Sequence, residues 1–140
     1  MDGDCARSQT VIPGCFRMIH CDTNFLIQTA VADSAAHEQF RGWTQAQEGC
    51  NASSIAWAEF LCGPLDAPAE TIARQIFPHP EPFLPADAVL AALLFNQTGR
   101  RSRSLADCMI AAVAIRCGAK LATSNTADFQ PFQPHGLILA

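Results

Sequence analysis

The chain has 140 residues, enough for one domain with a single core and too few for two. Apolar residues make up 49% and charged residues 16%, which excludes a disordered chain, and no run approaches the ~20 apolar residues that a membrane-spanning helix needs. The formal net charge of −4 argues against a broad basic surface for nonspecific binding to nucleic acid, while leaving room for a local basic site.

Seven cysteines, an odd number, form no Cys-x-x-Cys pair, and no signal peptide precedes them, which fits a reducing cytoplasm. Cys21, Cys62, Cys108 and Cys117 sit inside apolar patterns, where a thiol behaves as a small buried hydrophobe. The four histidines are scattered and make no ligand pair, which argues against zinc.

Residues 1–17 mix Gly, Pro, Asp and Ser without a sustained period, so the sequence predicts a loosely ordered leader, or translation starting at Met18, ahead of one domain over residues 18–140. From Met18 an apolar run suited to a strand stops at Asp22, and Thr23 and Asn24 open a second apolar run of helical type. Ligands of open α/β sheets gather just beyond the carboxyl ends of strands, so an acid there is positioned for chemistry. It is also where an ordinary helix N-cap stands. Asp33 and Ser34 can cap a further helix in which Ala36, Phe40, Trp43 and Ala46 share a face, with Gly49 ending it before a short strand at residues 50–53.

Ser54 then caps a helix over residues 55–62, closed by Gly63 and Pro64. Glu59 lies four residues after Ile55 and three before Cys62, so a carboxylate shares the stripe expected to face inward. Such a group needs a partner, hydrogen bonds or a metal; otherwise the helix is rotated and Glu59 is solvated. Six prolines from Pro64 to Pro85 stiffen the middle of the chain around a short helix at residues 69–77. Val89, Leu90, Leu93 and Leu94 give residues 86–96 the period of an amphipathic helix ended near Gly99.

Arg100, Arg101 and Arg103 precede Ser104 and Asp107, whose spacing resembles a capping box. These arginines can hold substrate phosphates or lie in a solvated loop. The helix behind them, to Cys117, is nearly all small or apolar and is predicted to be buried, with Asp107 at the mouth of the core. Residues 120–123 read as a strand, 124–128 as a polar turn and 137–139 as a last strand. Strands alternating with helices predict an α/β fold with a mainly parallel central sheet flanked by helices.

In such a sheet Asp22, Asp107 and Asn125 share one edge, and Glu59 reaches toward it from its helix. Converging carboxylates repel unless a cation sits between them, and oxygen ligands without His or Cys select Mg²⁺ or Mn²⁺. The order and spacing of Asp22-Thr23-Asn24, Ala58-Glu59-Phe60, Leu105-Ala106-Asp107 with Ile110-Ala111-Ala112, and Thr123-Ser124-Asn125 followed by Asp128-Phe129 resemble a PIN domain. The chain is most similar to the VapC-type ribonuclease toxins of bacterial toxin-antitoxin pairs, from about Met18 to the C-terminus.

The resemblance implies a PIN-like three-layer sandwich and a metal-dependent endoribonuclease, usually a homodimer held inactive by a cognate antitoxin. The resemblance also implies an RNA substrate, with tRNA and other structured RNAs as candidates and the sequence not saying which, and a cytoplasmic setting. Asp22, Glu59 and Asp107 match the family's metal-binding acids, while the fourth position, often Asp, is Asn125. Asp128 is a candidate to compensate, and Thr23 and Thr123 match hydroxyl positions that hold a water or a carboxylate in place. With no Ser-His or Cys-His pair, water acidified by the metal is the expected nucleophile, leaving 5′-phosphate and 3′-hydroxyl ends. A non-catalytic PIN-like module that binds RNA or protein is the main competing reading. A phosphatase with Asp22 as nucleophile ranks below it, because the second acid such enzymes want two residues on is Asn24.

Overall fold

The computed structural model describes residues 18–63, 65–100 and 105–140, so the expected leader, Pro64 and the segment holding Arg101, Arg103 and Ser104 lie outside it. The order of elements is β1 (Ile19–Cys21), α1 (Thr23–Thr29), α2 (Ala35–Gln45), β2 (Cys50–Asn51), α3 (Ser54–Leu61), α4 (Ala67–Ile76), α5 (Pro85–Gln97) and α6 (Leu105–Cys117). Then come β3 (Lys120–Ala122), α7 (Thr126–Phe129), a 3₁₀ turn (Gln130–His135) and β4 (Ile138–Leu139).

The four strands form one sheet in the order β2-β1-β3-β4, and every pair is parallel. Ile19 stands opposite Cys50 on one side and Lys120 on the other. A central parallel strand is covered on both faces, which is why β1 is buried throughout and reads as an unbroken run rather than an alternation. From β1 the chain goes first to β2 on one side and later crosses to β3 on the other, so the sheet has its switch point between β1 and β3. This is the PIN-like α/β architecture that the sequence predicts, with the sheet wholly rather than mainly parallel.

The helices start where short polar side chains can take up their first N–H groups. Asp22 caps α1, Ser34 caps α2, Ser53 caps α3 and Asp66 caps α4. The cap of α3 is thus Ser53 rather than Ser54. Helix α2 stops at Gln45 instead of running to Gly49, with Gln47 in the left-handed region at φ 61° and Ala46 exposed. The expected polar turn at residues 124–128 winds into α7.

Two faces differ from the sequence expectation. In α3 the inward stripe is Ala56 and Phe60, not Ile55, Glu59 and Cys62; Cys62 is exposed. In α5 the buried residues are Asp87, Ala91 and Leu94, while Val89 is 73% exposed and Leu93 is also exposed. The reason is the neighbour. Helix α5 packs on α6, whose Cys108, Ile110, Ala111, Ala112, Val113 and Ala114 are all buried and whose small side chains let the two axes approach. Arg116 near the end of α6 then draws Asp87 inward, its Nε donating to Asp87 Oδ1 at 2.7 Å and its Nη2 to Glu81 at 3.1 Å. Phe25, Phe129, Phe132, Ile19, Leu26 and Leu94 fill the centre. Among the described residues no helix is long and apolar enough to cross a membrane.

Candidate active site

Asp22 is the first residue past β1 and is only 3% exposed. Its backbone N–H donates to Ala122 at 3.0 Å, which ties it to β3 across the switch point. One carboxyl oxygen accepts the N–H of Phe25 at 2.8 Å, and the other accepts the hydroxyl of Thr123 at 2.6 Å. Asp22 is therefore an N-cap and a member of the site at once. One oxygen serves each role.

Thr123 lies just past β3, as Asp22 lies just past β1, so the contact follows from the strand register. The Thr123 hydroxyl also accepts the backbone N–H of Asn125 at 2.9 Å, folding the turn back on itself. From the first turn of α1, Thr23 donates to Glu59 Oε1 at 2.5 Å. Glu59 as a whole residue is exposed, yet its carboxylate is held at the cavity. Both sequence readings of Glu59 thus hold in part: it is off the inward stripe, and it has a partner.

Asp22, Thr23, Asn24, Glu59, Asp107, Asn125, Asp128 and Phe129 line a single cavity of about 190 Å³ beyond the carboxyl ends of β1 and β3. Asp107 reaches it from the first turn of α6, and Asp128 from α7, where its N–H donates to Asn125 O at 3.0 Å. Arg100 is not among the lining residues. Its guanidinium lies 5.8 Å over the Phe95 ring and donates to Asn96 at the end of α5. Asn24 and Phe129 line the cavity without having been singled out by sequence, although Asn24 sits only two residues past Asp22.

The carboxylates act on one another. Asp107 is pushed up to about 6, first by burial and then by the charges of Asp128, Asp22 and Glu59 in that order. Asp22 is also raised by burial, which outweighs the hydrogen bonds from Thr123 and Phe25, and Glu59 and Asp128 push the same way. Among the described residues, no lysine or arginine lines the cavity to offset them. A cation is what this donor set lacks.

The donors suit a hard divalent ion, since all of them are oxygens. They are not a closed cage: among the described residues no three His, Cys, Asp or Glu side chains are gathered closely enough to hold a metal. Mg²⁺ does not require one, because it keeps several waters and is bound through one or two carboxylates. The open cavity fits that mode better than it fits a fully protein-ligated ion.

The sequence pattern that defines the PIN domain matches residues 19–131. No curated protein matches the chain in sequence. Among solved structures, VapBC2 from Rickettsia felis bound to a DNA fragment from its promoter superposes with a TM-score of 0.67 at 18% identity, covering 88% of this chain and 97% of that one. FitAcB from Neisseria gonorrhoeae gives 0.63 at 22% identity, covering 88% and 97%. DNA-bound VapBC from Salmonella typhimurium gives 0.66 at 19% identity, covering 90% and 98%. At these identities the likeness is one of fold.

Proposed function

Because this chain belongs to the PIN domain family, we propose that it is a metal-dependent endoribonuclease, the toxin of a toxin-antitoxin pair. The observation that carries the reading is the cavity at the β1/β3 switch point, lined by Asp22, Glu59, Asp107 and Asp128 and, among the described residues, by no cationic side chain. Of Asp22, Asp107 and Glu59, one or two would bind Mg²⁺ or Mn²⁺ directly and the rest through its waters, with Asn125 and Asp128 at the fourth side. A bound divalent ion supplies Lewis acidity toward a phosphodiester and lowers the pKa of water.

The chain's own part is orientation. Thr123 and the Phe25 N–H hold Asp22 by its two oxygens, and Thr23 holds Glu59, so neither carboxylate must reorganise when charge develops. Asp107, raised to about 6, is near the range in which a carboxyl exchanges protons at neutral pH, and a bound cation lowers it again. The solved relatives include toxin-antitoxin complexes, which supports an antitoxin partner for this chain. Homodimerisation and a cytoplasmic setting belong to the same reading, as does a domain that begins near Met18.

The purified chain with Mg²⁺ should cut RNA internally and leave 5′-phosphate and 3′-hydroxyl ends, and EDTA should stop it. Cyclic 2′,3′-phosphate ends, or undiminished cutting in EDTA, would rule the mechanism out.

A further inference from the structure

A phosphodiester is an anion, and among the described residues the cavity it must enter is lined by four carboxylates and by no lysine or arginine. One divalent cation offsets only part of that charge, so the strand needs neutral donors as well. Thr23 has already given its hydroxyl proton to Glu59. The Asn125 backbone N–H is taken by Thr123, and the Asp128 N–H by Asn125 O. Among the described side chains that line the cavity, the uncommitted donors are the amide of Asn24, just past β1, and that of Asn125, just past β3. Both residues are exposed, and among the described residues neither amide has a hydrogen-bond partner.

We propose that Asn24 and Asn125 hold the substrate strand: their amide N–H groups donate to its non-bridging phosphate oxygens, one from each side of the switch point. Asn125 then serves the strand through its N–H, which leaves its carbonyl oxygen for the fourth side of the cation. This gives a chemical sense to an amide where the family often has an acid, because the amide keeps the shape of a carboxylate and exchanges one anionic oxygen for a donor. The assignment rests on the nuclease reading.

The test is steady-state cleavage of a mixed-sequence oligoribonucleotide by the full chain in saturating Mg²⁺, with Mg²⁺ affinity measured separately by calorimetry without RNA. Asn24→Asp and Asn125→Asp keep size and turn an N–H donor into an anion; each should raise KM about tenfold or more, while Mg²⁺ affinity is unchanged or tighter. Asn24→Ala and Asn125→Ser, which add no charge, should raise KM in the same direction and carry the test if an Asp variant does not fold. Unchanged KM across these variants overturns the proposal, as does an altered Mg²⁺ affinity at constant KM. A wild-type chain that leaves the RNA intact in Mg²⁺ overturns the nuclease reading itself.

Discussion

The Thr123 hydroxyl donates to one oxygen of Asp22 and accepts the N–H of Asn125, so a single atom fixes the acid after β1 and the turn after β3. Thr123→Val keeps the side-chain volume and removes both bonds. Groups that orient metal-binding carboxylates typically cost about 10- to 100-fold in metal affinity or activity when lost, and Mg²⁺ titration of the variant should show that loss. A second prediction concerns acid. Asp107, at about 6 against an ordinary 3.8, keeps a proton in the folded state that the unfolded chain has released, so its contribution to stability falls as pH rises through that window. His20, buried and lowered to about 4 from 6.5 chiefly by desolvation, does the reverse: as pH falls below 6.5 the unfolded chain gains a proton that the folded one refuses. The two therefore run against each other between pH 4 and 6.5 in the metal-free protein. Asp107→Asn removes one side of that balance. In EDTA the variant should be more stable than wild type at pH 7.5 and lose the advantage by pH 4.5, as read by urea unfolding. At this scale the sequence located the acids well, since strand ends and helix starts mark them. It did not find the Asn24 amide, whose place at the cavity depends on how α1 departs from the sheet.

Helices are where sequence periodicity both succeeded and misled. Every expected helix is present, within a residue or two at most ends, because caps such as Ser34 and Asp66 are local signals. Which face turns inward is not local. In α5 the apolar stripe of Val89, Leu90, Leu93 and Leu94 predicts the core side, but Val89 and Leu93 are exposed, and a charged residue, Asp87, is buried along with Leu94, at 1% exposure. Its partner Arg116 stands 29 residues away, beyond the reach of any period. Asp87 serves two elements: one oxygen accepts Arg116 Nε at 2.7 Å and the other the Leu84 N–H at 2.8 Å, which caps α5. Removing Asp87 leaves Arg116 only Glu81 and the Pro82 carbonyl and leaves the Leu84 N–H without its acceptor, so Asp87→Ala should cost about 2 to 3 kcal/mol in denaturant unfolding. The exposed Glu70–Arg74 pair on α4 provides the contrast; breaking it should cost well under about 1 kcal/mol.

For the molecule as a whole, a cation that binds only the folded state adds stability by mass action. At a concentration of one hundred times its Kd, Mg²⁺ should stabilise the chain by about 2.7 kcal/mol, and chelation should remove this gain. The same melts on Asp22→Asn should show little response to Mg²⁺ if Asp22 holds the ion. Fold class was legible in the sequence because alternating strands and helices leave few arrangements. Strand order was less so, since nothing in residues 120–122 alone announces which neighbour they will choose. That choice governs when the cavity can form. The central strand β1 pairs with β3 about a hundred residues later, and Asp22 receives its Thr123 hydroxyl only when that strand arrives. Domains emerge from the ribosome N-terminus first, so a nascent chain that has not yet delivered β3 holds Asp22 and Glu59 but no cavity to combine them. The order of synthesis thus leaves the carboxylate cavity unassembled until β3 has emerged and paired with β1.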